Sequence, residues 1–186
     1  EFVFGVPIQF DKNQLNISNK KFFLKDKETF DICFVAFRYD EIGASKGYDL
    51  FIDSAKKLSK SSNLFNKNIR FHVIGNYDKS VIDISDIEEK IIFHGVRDSK
   101  WLLDFYYGMD IVICANRQNV FYKGSFDGYP MAPEQSLCGV AMFQSDELNI
   151  NQNFKYYKKD EIVHIKLDVN DITMKVEYYL NNVEKL

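Results

Sequence analysis

The sequence predicts an α/β domain with a Rossmann-like, three-layer arrangement, in which helices cover both faces of a parallel sheet. Short apolar runs of strand length alternate along the chain with segments whose apolar residues recur at helical spacing. Runs such as Ile32–Phe37 are continuously apolar rather than alternating, as expected for strands buried on both faces. The 186 residues have room for one such domain and a short appendage.

The elements follow one another in regular order. We interpret residues 1–30, which are polar and irregular, as an interdomain lead-in segment, and residues 31–186 as the domain itself. The predicted strands are Ile32–Phe37, Ile69–Ile74, Lys90–Phe93, Asp110–Ala115, Val140–Phe143 and Glu161–Ile165. The predicted helices are Lys46–Leu58, Ser99–Tyr107, one that begins near Pro130, and Asp171–Asn181.

Composition and charge exclude several classes of function. The formal net charge is -3, which gives no electrostatic reason to expect nucleic acid as a partner, because duplex binding needs a concentrated positive surface. The apolar runs are too short for a transmembrane helix, and no signal peptide is evident. None of the three cysteines forms a CxxC pair, and no histidine has metal-ligand spacing. These features favour a reducing, cytoplasmic location and predict no metal site.

Ligands of such sheets bind at the carboxyl ends of the strands, so the loops there hold the candidate residues. Arg38 directly follows the first strand, and Lys46 opens the helix after it. Two cations beside a helix N-terminus could clamp a diphosphate. The alternative is that Arg38 forms an ion pair with Asp40 or Glu41 and that Lys46 is solvated. When only these two cations are considered, this alternative is favoured over a diphosphate site.

Two further loops carry candidate residues. In the long loop before the helix near Pro130, Gly128 allows close approach of a ligand, while Asp127 and Glu134 could accept hydrogen bonds from sugar hydroxyls. Alternatively, both acids only complement the dipole of that helix. At the end of the third strand, the segment 94–97 could line a base-binding pocket through its backbone, although a structural role for His94 is the simpler interpretation.

Five segments occur in an order that resembles the carboxyl-terminal domain of GT-B glycosyltransferases of the GT4-like "glycosyl transferases group 1" family. They are Phe37-Arg38 with Lys46–Ile52, then Phe71–Gly75, Ile92–Val96, Leu103–Ile111, and Asp127–Pro130 with Glu134–Val140. The resemblance covers about residues 31–182. The first acid is Asp127 where the family has Glu, and six residues rather than seven separate it from Glu134.

The resemblance implies a role for each matching residue. Arg38 and Lys46 would stabilise the leaving diphosphate, and no metal or other cofactor is expected. Asp127, with Gly128, Tyr129 and Pro130, would meet the donor sugar and phosphates. Glu134 would bind the ribose. Gly95 and Val96 would contact the base of the nucleotide.

The resemblance also implies an activity, namely retaining transfer of a sugar from a UDP- or GDP-sugar to a glycan or lipid-linked acceptor in surface polysaccharide or lipopolysaccharide assembly. The segment Phe4–Pro7 resembles the family's interdomain segment. We therefore expect an acceptor-binding amino-terminal domain upstream and no turnover by this chain alone. Peripheral association of the full-length enzyme with the inner membrane is compatible with this interpretation.

Other classes fit less well. A dinucleotide-binding dehydrogenase needs G-x-G-x-x-G after the first strand, where this chain has the segment 38–47 instead. A receiver domain needs clustered acids at that position, where Arg38 stands. A nucleotide-sugar epimerase of GT-B type and a non-catalytic nucleotide-binding scaffold remain alternatives.

Overall fold

The fold is a six-stranded, all-parallel sheet. The computed structural model describes residues 14–64, 66–117, 133–145 and 162–186, with the backbone alone at residues 133 and 134. The strand order is β3-β2-β1-β4-β5-β6. The strands are β1 Phe30–Val35, β2 Ile69–Ile74, β3 Ile91–Gly95, β4 Ile111–Cys114, β5 Ala141–Gln144 and β6 Val163–His164. This is the order of doubly wound nucleotide-binding folds, and it confirms the predicted fold class.

Helices cover both faces of the sheet. The described helices are α1 Tyr48–Ser59, α2 Ser99–Tyr106, α3 Pro133–Leu137 and α4 Val169–Leu180. Helices α1 and α4 pack together, and their apolar side chains join the strands in one core that includes Phe34, Phe51 and Val176. The other face carries a second core in which Leu103 of α2 packs near Val112 of β4. The result is a three-layer domain.

Local hydrogen bonds explain where the helices begin. Asp98 caps α2, because its carboxylate accepts a hydrogen bond from the amide of Trp101 at 2.8 Å. Asp168 caps α4 in the same way, through the amide of Asp171 at 2.9 Å. The first helix begins at Tyr48 rather than at Lys46, because Gly47 has a φ of 79° and ends a short 3-10 turn at residues 44–46.

Strand β1 is shifted by two residues from the predicted Ile32–Phe37. Phe30 and Asp31 belong to the sheet, where they pair with Ile69 and Arg70 of β2. The charge of Asp31 suggested a strand end, yet its side chain is buried among partners that neutralise it. The boundary therefore depends on a tertiary charge network that local pattern does not reveal.

That network lies at the amino-terminal edge of the sheet. The Lys27 ammonium contacts the carboxylates of Asp31 at 2.7 Å and Asp110 at 2.6 Å, and the three side chains are 13%, 4% and 6% exposed. Burial opposes ionisation of Asp31, but hydrogen bonds from His72 and Lys27 hold its pKa below the ordinary value. Burial raises the pKa of Asp110 despite the nearby Lys27.

Through Lys27 the described part of the lead-in segment, residues 14–29, is joined to the domain. Phe23 is also buried in the core, where its ring meets Phe30 edge to face at 5.3 Å between centroids. These residues pack on the sheet, while the expectation of a neighbouring domain before them stays a prediction. Within the described ranges, no helix is long and apolar enough to cross a bilayer.

We expect Lys27→Met to lower the free energy of unfolding by about 3 kcal/mol, because it leaves Asp31 and Asp110 as neighbouring buried carboxylates without their shared cation. Urea denaturation monitored by circular dichroism measures the loss. Lys25→Met is the matched control, since Lys25 is exposed on the same turn. The double variant Lys27→Met/Asp110→Asn should recover part of the loss. Equal denaturation midpoints for Lys27→Met and wild type would contradict the role of this network.

Candidate functional site

The candidate site lies at the carboxyl ends of β1 and β4, the central neighbouring strands of the sheet. Strand order reverses direction between them, with β2 and β3 on one side and β5 and β6 on the other. In open α/β sheets the loops diverge at this point and leave a crevice where ligands bind. The loop after β1 runs from residue 36 to Gly47, and residues 115–117 follow β4.

Two glycines allow the loops to close over the strand ends. A Cβ on Gly47 would lie 2.3 Å from the carbonyl oxygen of Ala115, and one on Gly75 would lie 1.9 Å from that of Ala36. Both glycines also have a positive φ, of 79° and 132° respectively. The start of α1 therefore packs directly on the end of β4, and the loop after β2 packs on the end of β1.

Arg38 lies on this edge of the sheet, in the loop after β1. Its amide donates to Oδ1 of Asn76 at 2.6 Å, which ties the loop to the end of β2. The side chain is half-buried and forms no ion pair with Asp40 or Glu41, all three of which the structure describes. The ion-pair alternative for Arg38 is therefore absent from the structure.

Two buried phenols underlie the same loop. The rings of Tyr48 and Tyr77 lie 4.3 Å apart between centroids. Burial raises the pKa of both hydroxyls well above the ordinary value, and the nearby Arg38 guanidinium offsets this only in part. The phenols are therefore neutral, and they supply no negative charge to offset that of Arg38.

Lys46 ends the 3-10 turn that precedes α1, and its side chain is half-buried. Its ammonium lies 5.3 Å from the ring centroid of Tyr39, an arrangement that a cation–π attraction favours. The loop after β1 thus carries both predicted cations to the edge of the sheet where ligands of this fold class bind.

The backbone amides of the turn are already engaged. The carboxylate of Asp40 accepts from the amides of Ala44 and Ser45, both at 2.8 Å. The amides of residues 46–48 donate to the carbonyls of Gly43 and Ala44 at 3.0–3.2 Å. Sequence reasoning expected these amides to face a bound anion. In the structure these amides already have acceptors within the turn. The positive charge of the loop after β1 therefore comes from the side chains of Arg38 and Lys46.

Sequence reasoning did not single out Arg117, the third residue after β4. Its guanidinium contacts Asp49 Oδ2 at 2.8 Å through Nη2 and the carbonyl of Ala44 at 3.1 Å through Nη1. Its amide donates to the carbonyl of Ser45 at 2.9 Å. Its position could have indicated a role, because Arg117, like Arg38, follows the carboxyl end of a buried strand.

Gly95 and Val96, the predicted base-binding residues, lie at the end of β3 on this edge. The carbonyl of Gly95 accepts from the amide of Gly75 at 3.0 Å. Among the described residues other than its own chain neighbours, no atom lies within 4 Å of the position that a Cβ on Gly95 would take. Val96 is 57% exposed. Their contact with a base stays a prediction.

The acidic half of the predicted site cannot be placed. Asp127, Gly128, Tyr129 and Pro130 lie outside the described residues. Glu134 is described by its backbone alone, in the first turn of α3. Both acids therefore stay predicted sugar and ribose ligands. Among the described residues no three side chains of His, Cys, Asp or Glu lie together as metal ligands.

Comparison of structures supports the fold. An S. aureus TarM variant in complex with fondaparinux, alpha-GlcNAc-glycerol and UDP has a TM-score of 0.59 and 16% identity, over 83% of this chain and 29% of that one. A trehalose-6-phosphate synthase has a TM-score of 0.55 and 14% identity, over 83% and 38%. The catalytic domain of cholesterol-alpha-glucosyltransferase from Helicobacter pylori has a TM-score of 0.54 and 15% identity, over 84% and 89%.

The chain is structurally similar to GT-B glycosyltransferases, and its fold is the Rossmann-like domain fold found in them. It spans about a third of the length of the first two enzymes. No protein-family profile matches the sequence, and neither does any curated protein. The resemblance seen in the sequence motifs is thus confirmed at the level of fold.

Beside the base-binding candidates, His94 is part of a stacked aromatic group. Its ring stacks on His72 at 5.2 Å between centroids and lies 5.2 Å from Trp101, while the two histidines share a 3.0 Å contact between Nε2 of His94 and Nδ1 of His72. Burial, together with repulsion from His72 and Arg97, lowers the pKa of His94 to about 4.

We expect His94→Gln to reduce the loss of stability on acidification. Between a pH of about 4 and 6.5 the unfolded chain protonates His94 and the folded chain does not, so stability falls as the pH is lowered through this window. Urea denaturation at several pH values measures the slope. His164→Gln, at an exposed histidine of β6, is the control and should keep the wild-type slope. A wild-type slope in His94→Gln would show that His94 does not titrate in this way.

Proposed function

We propose that this chain is the nucleotide-sugar donor-binding domain of a retaining GT-B glycosyltransferase. The observation that carries the proposal is the placement of Arg38 and Lys46 on one loop at the switch point between β1 and β4. That edge of the sheet is where this fold class binds phosphorylated ligands. The similarity to enzymes such as TarM in complex with UDP supports the same assignment.

In this proposal the two cations stabilise the leaving group. As the bond between sugar and diphosphate breaks, negative charge builds on the phosphate oxygens, and fixed cations nearby lower the energy of that charge. Arg38 suits this task because its planar guanidinium can donate two parallel hydrogen bonds to a phosphate. Lys46 adds a compact point charge from the start of α1. With these two charges the donor site needs no divalent metal.

The remaining contacts are distributed along the same edge. Gly95 and Val96 would meet the base through their backbone, at the end of β3. Asp127, with residues 128–130, would meet the donor sugar and phosphates, and Glu134 would accept hydrogen bonds from the ribose. These assignments rest on the sequence resemblance. They predict a UDP- or GDP-sugar as the donor.

The finer details of the reaction rest on resemblance as well. The trehalose-6-phosphate synthase of similar fold transfers glycosyl groups with retention, which supports a retaining reaction here. The acceptor, a glycan or a lipid-linked saccharide, would bind through an amino-terminal domain. We propose that the full-length enzyme acts in surface polysaccharide or lipopolysaccharide assembly at the cytoplasmic side of the inner membrane.

Strand order alone also suits a dinucleotide-binding domain, so the loop after β1 decides between the two classes. A dinucleotide fold uses glycines there to bring helix amides against a pyrophosphate. In this chain the amides of residues 44–48 are engaged within the turn, two of them by Asp40, and Arg38 supplies the charge. This arrangement favours a diphosphate held by side chains.

We expect the chain to bind one of UDP, GDP or ADP selectively, without catalysing sugar transfer alone. Isothermal titration calorimetry measures the affinity. Arg38→Ala and Lys46→Ala should each weaken binding about tenfold or more, since a hydrogen bond to a charged group contributes about 1.5–3 kcal/mol. Lys60→Ala is the control, because Lys60 lies beyond the carboxyl end of α1.

Two results would overturn this proposal. One is the absence of binding to all three nucleotides at millimolar concentration. The other is binding that is indifferent to both Arg38→Ala and Lys46→Ala. Transfer of sugar from a donor by this chain alone would refute the part that assigns the acceptor site to another domain.

A further inference from the structure

Arg117 forms a cross-link between the end of β4 and the turn that carries Lys46. Its guanidinium and its amide contact residues 44, 45 and 49, which lie on both sides of Lys46 in the sequence. The same turn packs closely against Ala115, because Gly47 has no side chain at the point of contact. Arg117 therefore holds the turn at the place where the two central loops meet.

The geometry shows that two of the five N–H donors of the guanidinium are engaged by described residues of the protein. Nη1 donates to a backbone carbonyl at 3.1 Å, and Nη2 pairs with Asp49 at 2.8 Å. The two side chains of the ion pair are 28% and 25% exposed, so solvent screens the pair only in part. Because a shift of the guanidinium towards a phosphate would break both contacts, they favour a positioning role for Arg117.

Asp49 explains why the cross-link is needed. It stands in the first turn of α1, close to Lys46, and its Oδ1 is buried with no hydrogen-bond partner in the described part of the chain. Without Arg117 both carboxylate oxygens would lack a protein partner among the described residues, which would favour opening of the turn to hydrate the buried Oδ1.

We infer that Arg117 is a positioning residue for the proposed diphosphate site, which fixes the turn carrying Lys46 through its contacts with Asp49 and Ala44 and does not contact the ligand. This inference rests on the proposed function. Arg117 acts through Lys46, so its removal should matter only while Lys46 is present. A direct phosphate ligand would instead contribute independently of Lys46.

The first test is a double-mutant cycle with UDP and GDP as probes, read by ligand-observed NMR on the full 186-residue chain. Arg117→Gln should weaken binding about tenfold, as expected for contacting groups that act as one unit. Arg117→Gln/Lys46→Ala should bind no more weakly than Lys46→Ala alone. Arg117→Lys should restore binding only in part, because a lysine cannot make both guanidinium contacts at once.

The second test needs no nucleotide. Hydrogen exchange of peptides that cover residues 44–50 should be faster in Arg117→Gln than in wild type, and should return towards wild type in Arg117→Gln/Asp49→Asn. Lys60→Ala is the control and should exchange at the wild-type rate. This readout separates the two proposals, since wild type that binds no nucleotide refutes the proposed function whatever the exchange shows.

Three outcomes would overturn the positioning role. Unchanged exchange in Arg117→Gln would show that Arg117 does not hold the turn. Faster exchange with unchanged nucleotide affinity would show that the turn does not govern binding. Additive losses in the double variant would make Arg117 a ligand in its own right.

Discussion

The contact of Gly47 with the carbonyl of Ala115 brings the two central loops of the sheet together. A side chain at residue 47 would need space that the backbone of β4 occupies, and the residue also adopts a left-handed conformation. The contact places the start of α1 on the end of β4. Lys46 reaches the edge of the sheet because of it, and Arg117 can reach the turn. The close backbone packing at Gly47 thus determines where the charged residues of the proposed site lie.

The two edges of the sheet carry different kinds of charge. At the amino-terminal edge Lys27 contacts both Asp31 and Asp110, Arg70 also contacts Asp31, and the side chains of Lys27 and the two acids are nearly excluded from solvent, which suits a structural role. At the carboxyl edge Arg38 is half-buried, and the neighbouring phenols are neutral. A cation that forms no ion pair with the described carboxylates of its own loop, Asp40 and Glu41, is suited to an anionic ligand. The position of the proposed binding charges agrees with the location of ligand sites in open α/β folds.

The sequence predicted the three layers and the parallel sheet because continuous apolar runs and amphipathic helices are local signals. It missed the start of β1, since Asp31 is a strand residue only when Lys27 and Asp110 surround it. It also expected the backbone amides of the turn to be available to an anion. Two of them instead donate to the carboxylate of Asp40, four and five residues earlier in the chain. Arg117 was overlooked for the same reason: its role follows from contacts with a turn some 70 residues away in sequence. Tertiary pairing of charges is what local pattern cannot supply.

The most direct test of this account is a map of the nucleotide site by 15N-resolved NMR, in which UDP is added to the chain and amide shifts are followed. The account predicts that shifts among the described residues concentrate in the loop after β1, at Gly95 and Val96, and at residues 115–117. Amides around Lys27, at the opposite edge of the sheet, should stay unchanged. Shifts that concentrate around Lys27, or on the outer face of α4, would contradict a diphosphate site at the switch point between β1 and β4.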